Sequence, residues 1–138
     1  MQDRPTKLEL LQGVEYFLTD DAIEKLEGST KFKARVAANA VRMVMRELEG
    51  EQSDVRQEFD SLKQLLFHAA EPKREFSDLR DQVDEMNTEL ARLIRDGKAE
   101  EPEFLRRLID HLKPIAHRKL AVNNPKMATM VKDEYGLR

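Results

Sequence analysis

Apolar residues recur along this chain at intervals of three and four, the spacing of one face of an α-helix. The pattern is densest over Phe32–Leu48, where Val36, Ala37, Ala40, Val41, Val44 and Leu48 form a wide apolar face. Ala34, Ala38 and Met45 extend it, leaving only a narrow polar ribbon of Arg35, Asn39, Arg42 and Arg46. A helix apolar on most of its sides is normally surrounded by others. Its alanines also let neighbouring backbones come close, so the pattern predicts a central helix over 31–49.

The other elements follow from the same spacing and from end signals. Thr6-Lys7-Leu8-Glu9 reads as a capping box, in which a hydroxyl and a carboxylate each meet an orphan amide. Leu8, Leu11, Val14 and Leu18 then make a first amphipathic helix. Thr19-Asp20-Asp21 is a second cap signal, for a short helix or a kinked continuation before Gly28. Gly50 is expected to end the central helix, and Ser53-Asp54 to start another carrying Val55, Phe59, Leu62, Leu66 and Ala69. Glu71-Pro72 ends that one, because the residue before proline disfavours the α conformation.

Phe76, Leu79, Val83, Met86, Leu90 and Leu93 recur as a heptad seam closed by Asp96-Gly97. The seam is either core or a surface through which two copies associate. Pro102 suits the first turn of a last helix. Pro114 is expected to kink or interrupt that helix, and Asn123-Asn124-Pro125 to stop it. The sum is an all-α antiparallel bundle of about five helices, one domain over 1–125, with a tail 126–138 that is flexible or ordered by a partner.

Composition narrows the classes. A chain of 138 residues can bury a core without staples. The absence of cysteine excludes disulfides, thiolate ligands and a cysteine nucleophile, and suits a reducing cytoplasm. No apolar run approaches the roughly 18 residues of a membrane span, and Met1–Pro5 lacks the apolar stretch of a signal peptide. The net charge of -3 gives no overall attraction to nucleic acid. Charge is uneven, however: 31–48 and 106–119 each carry net +4, and 71–101 carries net -4. These segments are expected chiefly to neutralise one another.

Candidate chemistry is sparse. His68, His111 and His117 have no metal-ligand spacing, the five glycines form no phosphate loop, and no serine has an evident base beside it. No catalytic residue, metal or cofactor is predicted. The ribbon Arg35, Asn39, Arg42 and Arg46 is the best candidate for a partner- or anion-binding ridge, since arginine forks suit carboxylate and phosphate. Its alternative is a solvated, salt-bridged face. The end of the last helix, with Lys119 and Asn123, is a second candidate, against ordinary helix capping.

Several stretches together carry a resemblance. They are Met1-Gln2-Asp3-Arg4-Pro5-Thr6, Phe32-x-Ala34-Arg35-Val36-Ala37-Ala38-Asn39, Asn87-x-Glu89-Leu90-Ala91-Arg92-x-Ile94-Arg95-x-Gly97 and Lys119-Leu120-Ala121-Val122-x-Asn124-Pro125. The chain resembles, to about Pro125, a small bacterial family of helical proteins encoded beside aminoglycoside-phosphotransferase-like kinases and acyl-CoA dehydrogenases. The resemblance implies a non-catalytic accessory subunit of a kinase that phosphorylates a hydroxyacyl-CoA. Arg35, Asn39, Lys119 and Asn123 are its family-pattern positions. Two other functions stay open: a self-associating module using the Phe76–Leu93 seam, and a small-anion or CoA-binding protein.

Overall fold

A computed structural model describes residues 4–135; Met1-Gln2-Asp3 and residues 136–138 of the expected tail lie outside the described residues. Among the described residues the chain is all-α, with no strand. The helices are α1 (Lys7–Tyr16), the single turn α2 (Ile23–Lys25), α3 (Gly28–Leu66), α4 (Phe76–Arg95), α5 (Pro102–Asn123) and α6 (Pro125–Tyr135). The chain divides into two compact units, Met1–Gly50 and Glu51–Arg138, where the sequence predicts one domain and a tail.

In the first unit the capping box is complete. The Thr6 hydroxyl accepts from the Glu9 amide at 3.2 Å, and the Glu9 carboxylate accepts from the Thr6 amide at 2.7 Å. Thr19 does not cap a new helix. Its hydroxyl donates back to the Glu15 carbonyl at 3.0 Å, the bond of a residue inside a helix, and a π-helical segment Phe17–Ala22 carries α1 into α2. Leu26 is extended, and Gly28 starts α3 at a φ of 53°, a left-handed conformation that glycine adopts without strain. Arg42 Nε donates to Glu15 at 2.8 Å and ties α3 to α1.

The apolar circumference of 31–49 splits into two sides. Ala34 and Ala38 are buried, and Val41, Met45 and Leu48 lie half-buried on the same side. Phe32 and Val36 face solvent on the opposite side, and Val44 is exposed at the margin between the two. The expectation of a helix enclosed on most sides is therefore met on one side only.

Within the second unit α3 continues past Gly50, where the sequence predicts a stop. Glu51 pairs with Arg80 of α4 at 3.1 Å, and Asp54 with Arg118 of α5 at 3.4 Å. These contacts tie the turn after Gly50 to α4 and α5, at a position where a glycine inside a helix costs roughly 1 kcal/mol. Ser53, predicted as a cap, accepts from Gln57 Nε2 at 2.9 Å within the helix. The helix then ends ahead of Pro72: Phe67 takes a φ of 55°, and the His68 amide donates to the Lys63 carbonyl at 3.0 Å. That is the six-to-one bond of a left-handed helix stop. Gln82 pins the following loop, accepting from the Lys73 amide at 3.1 Å and donating to the Glu71 carbonyl at 3.2 Å.

The core of this unit joins Phe59, Leu62 and Leu65 of α3 to Leu79, Val83, Met86 and Leu90 of α4 and to Phe104 and Leu108 of α5. Phe76 and Leu93 are half-buried at the ends of the same row. The heptad seam is thus turned onto the chain's own core, the first of its two readings. Pro114 does not interrupt α5, which runs on to Asn123. Asn124 then caps α6, its side-chain oxygen accepting from the Met127 amide at 3.1 Å. Ala128 is buried, and its carbonyl accepts from His117 Nε2 at 3.0 Å, so α6 is packed against α5.

Candidate functional site

The ribbon of the first unit is uneven. Arg35 and Asn39 are exposed and make no hydrogen bond or ion pair with any described residue. Arg42 is held by Glu15, and Arg46 is half-buried and partnered. Beside the ribbon runs the exposed row of Phe32, Val36 and Val44, with relative exposures of 66%, 53% and 44%. Residues four apart lie on one side of a helix, so Ala40, also exposed, bridges Val36 and Val44. In the same unit Leu10, Val14, Tyr16 and Phe17 are exposed as well.

The second sequence candidate sits at the end of α5. Lys119 and Asn123 are exposed. The structural work there falls to their neighbours: Arg118 binds Asp54 and Gln57, and Asn124 caps α6. Lys119 and Asn123 belong to the second unit and the arginine ribbon to the first.

A third location was not read from the sequence. The row Phe104, Leu108, His111 and Ile115 of α5 is buried, and His111, 3% exposed, is the one polar side chain among the buried residues described. Its Nδ1 lies 2.7 Å from Ser61 Oγ on α3, fifty residues away in sequence. Ser61 therefore has a base beside it after all. Its imidazole has no orienting carboxylate, because His111 Nε2 is buried without a partner among the described residues. In a serine nucleophile the base is usually held in turn by a third group, and among the described residues none holds His111.

Ser61 and His111 line a cleft of about 260 Å³ together with Gln64, Leu65, Arg107 and Asp110. Arg107 lies one helical turn before His111. Its guanidinium stacks 4.3 Å from the centroid of the Phe67 ring, and its Nε is also buried without a partner. Arg106 and Asp110 pair with each other at 3.6 Å.

Burial pushes the His111 imidazole below its ordinary range; Glu58 opposes this and Arg118 adds to it. A depressed value means that the unfolded chain binds the proton more readily. The stabilisation is thus fully present above about pH 6.5 and is lost as pH falls through the lowered folded value. Urea unfolding should accordingly show a steeper stability loss from pH 7 to 5 in the parent than in His111→Gln; equal slopes would refute a neutral buried His111.

Among the described residues no helix is long and apolar enough to cross a membrane, and no cluster of His, Asp or Glu could hold a metal ion. The fold defines an all-α protein. The chain belongs to the DUF6285 family, described as a domain of unknown function, whose family model matches residues 24–127. Neither a curated protein nor a solved structure matches it.

Proposed function

We propose that this protein is a non-catalytic accessory subunit that docks on an aminoglycoside-phosphotransferase-like kinase through the row Phe32, Val36 and Val44 of α3. The observation that carries the reading is a second apolar side of that helix: Phe32 and Val36 are exposed opposite the buried Ala34 and Ala38, and exposed Val44 continues the row toward its margin. A row of large apolar side chains left in water on a folded helix is a common mark of a docking surface. Arg35 and Asn39 flank it with their hydrogen-bonding capacity unused. Net charge of +4 over 31–48 favours a partner whose apolar patch has an acidic rim.

The kinase is the partner class that the sequence resemblance implies, and its substrate class would be a hydroxyacyl-CoA. The accessory subunit would stabilise the kinase by binding only its folded form. Co-expression of the full chain with a kinase of this class from the same genome, followed by size-exclusion chromatography, tests the proposal. Co-elution and a raised kinase melting temperature are expected. Two separately eluting proteins, with the kinase fully active alone, would overturn it.

A further inference from the structure

Two buried nitrogens in the second unit lack partners, and both are on residues that line the same cleft. One is Arg107 Nε, which always carries a proton. The other is His111 Nε2. Pairing the Ser61 hydroxyl proton with the Nδ1 lone pair, 2.7 Å away, places the imidazole's own proton on Nε2. Both orphans are then donors. They stand at i and i+4 on α5, on one side of the helix.

Arg107 is the uncompensated charge of this cleft. Its guanidinium lies over the Phe67 ring, and no carboxylate among the described residues forms an ion pair with it. Asp110, the one acid in the cleft, is occupied by Arg106. The adjoining cavity of about 370 Å³, which Arg107 also lines, contains Glu101 and Glu103 and is the poorer site for an anion. A half-buried guanidinium with an unpaired N–H, one helical turn from a second unpaired N–H, calls for an oxygen acceptor carrying negative charge.

We propose that the cleft formed by Ser61, Gln64, Arg107 and His111 binds a small oxyanion, a phosphate or a short carboxylate, through Arg107 Nε and His111 Nε2. The cleft, at about 260 Å³, suits a group of that size rather than a whole nucleotide. A neutral His111 fits the role, since it donates one hydrogen bond without adding a buried charge. Gln64, at the exposed edge, offers a further amide donor.

The test is a titration of the full chain, with 15N-labelled histidine, by sodium phosphate and separately by sodium acetate, with sodium chloride as the ionic-strength control. The His111 resonances should show a proton on Nε2 and should move saturably with one of the two anions. The anion that saturates at lower concentration identifies the class. Arg107→Lys, which keeps the charge and removes Nε, should weaken binding at least about tenfold. Arg92→Gln, on α4 and outside the cleft lining, should leave it unchanged. A proton found on Nδ1, shifts no larger than those from chloride, or equal affinity in Arg107→Lys would each overturn the proposal. A variant that loses helicity is replaced by His111→Leu, which removes the donor, read by calorimetry with the same anion, where undiminished binding would also overturn it.

Discussion

Replacing Phe59 with alanine is expected to destabilise the second unit by about 3–5 kcal/mol, a large share of the 5–15 kcal/mol typical of a folded domain. Phe59 and Leu62 are fully buried, and they sit where α3 meets both α4 and α5. Truncation removes the ring's burial and leaves a cavity that three helices would have to close together. Urea unfolding followed by circular dichroism should show a markedly lower midpoint. Phe32 gives the contrast on the same helix: it is 66% exposed, and Phe32→Ala should stay within about 0.5 kcal/mol of the parent. A loss below about 1 kcal/mol for Phe59→Ala would mean that the core is not packed as described.

The second large effect concerns binding. Val36→Asp with Val44→Asp should leave helicity and stability almost unchanged, since both positions already face water. In complex with the proposed kinase the same carboxylates would be buried unpaired against an apolar patch. The affinity should fall at least about 100-fold, some 2.7 kcal/mol, measured by calorimetry on the purified pair. Undiminished affinity in a folded double variant would place the docking surface elsewhere.

Elements whose signals are local were legible in the sequence. The Thr6–Glu9 box, the α4 row from Leu79 to Leu90, and the Pro102 and Asn123-Asn124-Pro125 limits of α5 each depend on residues within a turn or two. What depends on distant partners was not. Gly50 reads as a stop until Arg80 and Arg118 reach Glu51 and Asp54. The end of α3 reads as Glu71-Pro72, yet Phe67 turns the chain first.

The Phe32–Leu48 wheel shows apolar residues on most sides, and periodicity alone does not say which side meets the chain's own helices. Arg35, Asn39, Lys119 and Asn123 were placed on helices from sequence, but only the fold shows them on separate units. Ser61 and His111 were invisible as a pair, being fifty residues apart. One sign was available: His111 falls in the apolar row between Leu108 and Ile115, where a histidine must find a partner or remain unsatisfied.

Tyr16 has a practical consequence for work on this protein. The chain contains no tryptophan and two tyrosines, so its intrinsic ultraviolet emission comes from Tyr16 and Tyr135. Tyr16 is 63% exposed on the same compact unit as the apolar row of α3. Its phenol therefore reports on the first unit without a dye or tag, and a Tyr135→Phe background would isolate its signal. Quenching by iodide could then follow any molecule that shields this unit from solvent.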